Sequence, residues 1–222
     1  MEALAEAGAA LPLGAQATQH LRVLRLGPGA RVTLFDGRGG LAEATLLEGG
    51  AARIERRWEA PPDRPLGLLM GLPKGRKADD VVRQATELGA TKIAFLQAAR
   101  SVPTPDDARS AKRRTRWATV ATEAARQAER AWTPRVAGPL TLAEALAVRG
   151  ESPGFVCGAR QPGVRTPDAR GWVAVGPEGG FTDAELQAFA DAGWASLSLG
   201  PTILRAETAA LAALALLAAA NA

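Results

Sequence analysis

Two turns rich in glycine and proline hold most of the chemistry that this sequence displays. One is Gly176-Pro177-Glu178-Gly179-Gly180. The other, Leu199-Gly200-Pro201, follows about 24 positions later. A short apolar run precedes each turn and a helical pattern follows it. Such strand-to-helix turns gather at the carboxyl edge of a parallel sheet, where α/β proteins bind ligands. Two of them imply one pocket built mostly from main chain, because glycines leave N–H and C=O groups open to an adenine edge or a ribose. The commonest occupants do not fit. GPEGG lacks the G-x-G-x-x-G spacing of a dinucleotide fingerprint, and Gly71-Leu72-Pro73-Lys74-Gly75 lacks the G-K-[ST] ending of a phosphate-cradling loop. The plainer reading of GPEGG alone is a tight turn without a ligand.

Three further groups could do acid–base or anion-binding work. Arg205 and Glu207 open the last helical pattern. Two positions apart, they splay around a helix rather than facing each other. Glu207 in a first turn is favoured by the helix dipole alone; the functional reading puts both at the pocket mouth, holding a nucleobase. In the run 123–130, Glu123 with Gln127 and Arg126 with Arg130 are i, i+4 pairs. That run is either a solvated, charge-laced face or an arginine-bearing wall for RNA. His20 is the single histidine and Cys157 the single cysteine. Intrachain disulfides and Cys/His zinc sites are therefore excluded, no metal is expected, and His20 reads as a turn- or strand-stabilising residue rather than a catalyst.

The elements that must position these groups fall into two textures. Residues 1–18 are alanine-rich and weakly patterned. From His20 the chain turns to short β-like runs, over 31–35, 41–47 and 51–58, separated by turns at 27–29 and 36–40, which predict a small barrel. A stiff Pro61-Pro62-Asp63-Arg64-Pro65 linker follows. Beyond it, strands over 66–72, 92–97, 155–157, 172–175 and 196–199 alternate with helices over 79–88, 106–132, 182–193 and 203–220, plus a short one capped by Thr141 and Glu144. Five apolar strands separated by helices predict a mostly parallel sheet covered on both faces. Two domains are expected, 1–62 and 63–222.

Composition sets the class. The chain has 222 residues, 47% hydrophobic and 23% charged, ordinary values for globular proteins. No N-terminal run resembles a signal peptide, and the apolar run 209–220 is too short to span a bilayer, so a cytoplasmic protein with no membrane partner is expected. The net charge of +4 is unevenly placed. Residues 1–62 are neutral overall, 63–150 carry 16 Lys/Arg against 9 Asp/Glu, and 151–222 carry 4 against 7. A basic middle third suits a polyanion such as RNA; a solvated arginine-rich surface is the bland alternative.

With these residues in place, the chain resembles the bacterial 16S ribosomal RNA uridine-N3 methyltransferases of the SPOUT superfamily. The resemblance rests on His20-Leu-Arg-Val-Leu-Arg25, Leu34-Phe-Asp-Gly37, Lys74 and Lys77 before Gln84-Ala-Thr-Glu-Leu-Gly89, and Arg100-Ser101. It continues through 123–130, Pro134, Val175-Gly-Pro-Glu-Gly-Gly-Phe181 and Leu199-Gly-Pro-Thr-Ile-Leu-Arg-Ala-Glu-Thr-Ala209. The last two motifs are highly specific in combination. The family implies an α/β fold: an N-terminal PUA-like β-barrel, then a SPOUT α/β domain with a mostly parallel sheet and a C-terminal trefoil knot. It also implies S-adenosyl-L-methionine as methyl donor, 16S rRNA or the 30S subunit as partner, and a homodimer with the active site at the subunit interface. Members usually carry a basic-aromatic segment ahead of the barrel, where this sequence reads MEALAEAG, so the family's RNA contacts there are not carried over.

The resemblance also suggests roles. Cofactor contacts fall on Cys157, Gly158, Val175, Gly176, Glu178, Gly179, Gly180, Leu199, Gly200, Ile203 and Leu204. Glu207 or Glu178 would take or relay the N3 proton, and Arg205 would stabilise charge developing on the uracil carbonyls. RNA phosphates would meet Arg22, Arg25, Lys74, Lys77, Arg100, Arg126 and Arg130. Two alternatives are a SPOUT enzyme acting on a ribose 2′-hydroxyl and a non-catalytic RNA-binding protein with a degenerate knot.

Overall fold

The computed structural model describes residues 4, 6–101, 107–158 and 167–220. These fall into two compact units. One comprises Met1–Pro62 with Glu129–Trp132, the other Asp63–Ala128 with Thr133–Ala222.

The first unit contains strand β1 (Ala10–Pro12), helix α1 (Ala15–Val23), then β2 (Arg31–Phe35), β3 (Gly40–Leu46) and β4 (Ala51–Glu59). Its strands pair antiparallel in the order β1-β4-β3-β2. Successive side chains of a strand point to opposite faces, and β3 buries Ala42, Ala44 and Leu46 while Glu43 is exposed. With Ala52 and Ile54 of β4 they form a small core against which Leu21 of α1 packs. The β2–β3 turn is tied by the buried Asp36 carboxylate, which accepts from the N–H of Arg38 at 2.7 Å and of Gly40 at 3.0 Å. The inserted residues complete this unit. The Trp132 indole donates to the Pro61 carbonyl at 3.0 Å. Gly39, at φ 101°, lies so close that a Cβ there would sit 2.3 Å from the indole ring.

The second unit runs β5 (Gly67–Gly71), α2 (Lys77–Glu87), β6 (Lys92–Leu96), α3 (Asp107–Gln127), β7 (Arg135–Leu140), α4 (Leu142–Ala147), β8 (Gly154–Cys157), β9 (Trp172–Val175), α5 (Asp183–Asp191), β10 (Ala195–Ser196) and α6 (Ala206–Ala219). The strands form one all-parallel sheet in the order β10-β8-β9-β5-β6-β7. Every residue of β5 and β9 is buried, as a sheet covered on both faces requires. Leu68, Met70, Ile93, Phe95, Val173 and Val175 pack toward α2, α3 and α6, around Trp117 and Leu214. Leu69, Ala94, Leu96, Trp172 and Ala174 pack toward α4 and α5, around Ala145, Phe181, Phe189 and Trp194. The chain winds from β5 to the β7 edge and then crosses to β8, beyond β9. The winding reverses between β5 and β9, and such switch points open a crevice at the carboxyl ends of the strands.

The structure corrects the sequence reading at several elements. His20 and Arg22 lie in helix α1, not in a β-like run. None of the helix's residues is fully buried, so it lacks the apolar stripe that would have shown its period. The long helix ends at Gln127 rather than Trp132. Glu129 turns left-handed at φ 54° and Trp132 leaves for the first unit, so Arg126 and Arg130 are not helical neighbours. The expected start at Asp106 lies outside the described residues. Strand β7 was missed because Gly138 and Pro139 interrupt it, and Pro is tolerated where β7 sits, at a sheet edge. The expected strand 196–199 is reduced to Ala195–Ser196. Helix α6 starts at Ala206, with Arg205 as its extended N-cap, so Ile203 and Leu204 belong to a loop.

Candidate functional site

A cavity of about 520 Å³ opens where β8, β9 and β10 end and α6 begins. Volumes of this order are typical of small-molecule sites. Cys157 and Gly158 reach it from β8, Val175 through Gly180 from β9, and Leu197 through Gly200 from β10. Thr202, Ile203, Leu204, Arg205, Ala206 and Glu207 close it, with Ala209 and Lys77. Every residue suggested for cofactor contact or catalysis therefore lines one cavity. Leu197, Ser198 and Lys77 join them without having been singled out for it; the first two precede the Leu199-Gly200-Pro201 turn, and that adjacency was the available signal. Two other depressions, of about 150 and 830 Å³, lie along α2 and α3; Arg76, Asp79 and Arg116 line both, and the larger is lined mostly by charged side chains. Neither gathers main chain from several strand ends, which is what a backbone-reading pocket needs.

The GPEGG turn owes its shape to glycine at two positions. A Cβ on Gly176 would stand 2.8 Å from the Gly180 carbonyl carbon, and Gly180 adopts φ 69°. The turn is closed by the Gly180 N–H donating to Pro177 O at 2.8 Å. Behind it, a Cβ on Gly71 at the end of β5 would meet Pro177 Cδ at 2.3 Å, so the strand end and the turn are in direct contact.

The turn is braced from two sides. From the loop after β6, Arg100 donates through Nη1 to Gly179 O at 2.9 Å and to Phe181 O at 3.3 Å. In the same loop the Ala99 N–H donates to Glu185 at 2.8 Å. Glu185 is buried and closes a capping box with Thr182 at the start of α5. From the other side, Lys77 Nζ stands 3.1 Å from Glu178 Oε1 and 3.3 Å from Glu207 Oε1. The Lys74 N–H also donates to Glu178 at 3.3 Å.

These contacts fix charge states. Burial pushes the Glu178 carboxyl upward, but main-chain hydrogen bonds and the Lys77 ammonium outweigh it and hold the group below the usual carboxylate value. The hydrogen bond to Glu178, with that to Glu207, outweighs burial and raises Lys77. Burial pushes the Cys157 thiol up to about 12, so Cys157 lines the cavity as a neutral group.

The residues suggested for RNA contact do not form one cluster. Arg22 and Arg25 are exposed at the end of α1, Arg25 in a left-handed turn at φ 56°. Arg130 also belongs to the first unit. Arg126 lines the charged depression between α2 and α3. Lys74, Lys77 and Arg100 lie beside the GPEGG turn, where Lys77 and Arg100 are engaged by protein groups. Among the described residues no group of His, Cys, Asp and Glu could hold a metal, and no helix is long and apolar enough to cross a membrane.

Comparison with known proteins bears directly on this site. A model described as an RNA methyltransferase domain matches residues 60–218, and one described as an RNA methyltransferase PUA domain matches 13–54. The chain belongs to the RNA methyltransferase family. Ribosomal RNA small subunit methyltransferase E from Mycobacterium bovis is 37% identical over 86% of this chain and 79% of its own length. The protein of that name from Synechocystis is 38% identical over 87% of this chain and 67% of its own. A Neisseria gonorrhoeae ribosomal RNA small subunit methyltransferase E, solved bound to S-adenosyl methionine, superimposes with a TM-score of 0.84 at 30% identity. It covers 97% of this chain and 93% of its own. A Legionella pneumophila chain described as a methyltransferase, solved with the same cofactor, gives 0.84 and 30% over 98% and 95%. The matched RNA methyltransferase domain contains the whole cavity, and its α/β fold with a parallel sheet follows an antiparallel sheet matched to a PUA domain.

Proposed function

We propose that this chain transfers a methyl group from S-adenosylmethionine to N3 of a uridine in the 16S RNA of the small ribosomal subunit. The observation that carries the reading is the single cavity in which the GPEGG turn, the LGP turn and the first turn of α6 meet. The residues present fit the cofactor. Main-chain groups of Gly176 to Gly180 and Leu197 to Gly200 suit an adenine edge, Leu199 and Leu204 offer apolar walls, and the Glu178 and Glu207 carboxylates suit hydroxyl or ammonium donors. When bound, the cofactor supplies an electrophilic methyl group on a positively charged sulfur.

The chain's part is then positional and electrostatic. Uridine N3 must lose its proton before its lone pair can attack, and attack must be in line, so orientation is a large share of the barrier. Glu207, in the first turn of α6, or Glu178 accepts or relays that proton; Arg205, the exposed N-cap of α6, stabilises charge on the uracil carbonyls. The exposed Arg22 and Arg25, with Lys74, Arg126 and Arg130, take RNA phosphates. The strand order β10-β8-β9 and three loops returning to one cavity support a knotted C-terminal region. A homodimer in the cytoplasm completes the reading, and the exposed Ile203, just ahead of α6, and Leu216, near its C-terminal end, support a subunit contact along that helix.

The test is methylation of 30S subunits and of naked 16S RNA, with the modified nucleoside identified by mass spectrometry. 3-Methyluridine is the expected product. A 2′-O-methylated nucleoside would move the enzyme to the ribose-modifying branch, and failure to bind S-adenosylmethionine in calorimetry would leave an RNA-binding protein.

A further inference from the structure

Lys77 was assigned by sequence to RNA, yet the structure gives it a different setting. It is the first residue of α2, and its ammonium stands 3.1 Å from Glu178 and 3.3 Å from Glu207. Glu178 belongs to the turn after β9 and Glu207 to the first turn of α6, so three elements meet on one nitrogen at the cavity wall. Other charged groups nearby are engaged elsewhere. Asp79 is paired with Arg116 at 2.6 Å, Asp80 with Arg83 at 2.6 Å, and Arg100 with the carbonyls of Gly179 and Phe181. Arg76 lies toward Asp79 at 3.9 Å, and Lys74 offers Glu178 its main-chain N–H. Arg205 lines the same cavity but, among the described residues, forms no ion pair with either carboxylate.

We propose that Lys77 is a positioning residue of the methyl-transfer site, whose ammonium lets Glu178 and Glu207 stand side by side as carboxylates on the cavity wall. Two carboxylates that share one cation lie close enough for each to disfavour ionisation of the other once the cation is gone. Lys77 therefore acts through the glutamates. Its own pKa is raised by them, so it stays protonated near neutrality and is not itself the base. The role in methyl transfer rests on the function proposed above; the electrostatic bridge does not.

The experiment separates the two. In the full-length chain, side-chain carboxyl ¹³C titration, with resonances identified by E178Q and E207Q, is compared for wild type, K77M, K77R and the double variant K77M/E207Q. In K77M the midpoint of one of the two carboxylates is expected to rise by about one pH unit or more. K77R restores the wild-type titration, and K77M/E207Q returns Glu178 to an ordinary carboxylate value by removing its neighbour. Single-turnover methylation by K77M falls at least about tenfold below the new midpoint, its acid limb moving with that midpoint, while KM for RNA changes less than about threefold. K77Q carries the same titration should K77M fail to fold. Unchanged midpoints in K77M overturn the proposal whether or not the protein methylates RNA. A rise in KM for RNA with kcat unchanged also overturns it, returning Lys77 to the phosphate contacts.

Discussion

Cys157 and Glu178 show how one cavity sets opposite protonation states on its walls, a neutral thiol and a carboxylate. Cys157 sits at the end of β8 among apolar groups, and burial alone moves its thiol up to about 12. That is three units above its ordinary value of 9.0, so its thiolate fraction near pH 8 is roughly a thousandth of that of an unburied thiol. Iodoacetamide should therefore modify the folded protein roughly a thousandfold more slowly than the unfolded chain, with the rate still climbing at pH 10. A labelling rate that levels off near pH 9 would show a normal thiol. Glu178 is held below the carboxylate range and Lys77 above the usual amine value. A lowered carboxylate pKa adds stability above its unfolded value and loses it as pH falls through the folded one. A raised lysine adds stability below its unfolded value and loses it as pH rises through the folded one. The Lys77 bridge is therefore complete between about pH 5 and pH 10, and thermal scans of E178Q and wild type should differ within that window and converge only below it, as pH falls through the lowered Glu178 value. Glu178 was legible as a candidate from its place in GPEGG. Its pairing with a lysine 101 positions away in sequence was not, because no local spacing encodes a contact between a βα turn and another helix's first residue.

At the scale of elements, the cavity depends on how closely strand ends pack. Gly71 closes β5 directly behind Pro177, and a methyl group there would fall 2.3 Å from Pro177 Cδ and 2.5 Å from its nitrogen. Main chain cannot swing aside as a flexible side chain can, so Gly71→Ala must displace the GPEGG turn. A loss of about 1–3 kcal/mol is expected from overpacking, a fall in Tm of roughly 2–4 °C per kcal/mol for a chain of this size. Calorimetry should also show weaker S-adenosylmethionine binding than the stability loss alone explains; unchanged affinity would mean that the turn does not shape the cofactor site. The sequence announced this element well, since apolar runs ending in Gly-Pro turns mark buried parallel strands. It announced β7 poorly because Pro139 contradicts a strand anywhere but at an edge, and edge position is a property of the finished sheet. The end of α3 was hidden for a similar reason. Nothing local stops a helix at Gln127; the contact of Trp132 with Gly39 and Pro61 does.

Across the whole molecule, the charge asymmetry seen in the sequence divides into two kinds of cation. Some hold the catalytic unit's own loops: Lys77 bridges two glutamates and Arg100 donates to two carbonyls. Others, such as Lys112 and Arg114 on α3, face solvent, as do Arg22 and Arg25 outside the basic middle third, at the exposed end of α1. Composition could not make this division, because a basic middle third looks the same whether its arginines grip RNA or the chain itself. Salt dependence can. Each phosphate contact adds about 0.7 to the slope of log affinity against log salt for single strands and about 0.9 for duplex. Replacing Arg22 and Arg25 together by alanine should lower the slope by about 1.4 to 1.8, measured by anisotropy of a labelled 16S RNA fragment between about 50 and 200 mM salt. Replacing Arg100 by methionine should leave the slope within about 0.5 of wild type while weakening S-adenosylmethionine binding, because its guanidinium orients Gly179 and Phe181 rather than a phosphate. An unchanged slope in the Arg22/Arg25 variant would remove the end of α1 from the RNA footprint. A slope that drops with Arg100 would show that its guanidinium leaves the turn for the RNA, and that the GPEGG conformation depends on which of the two is bound.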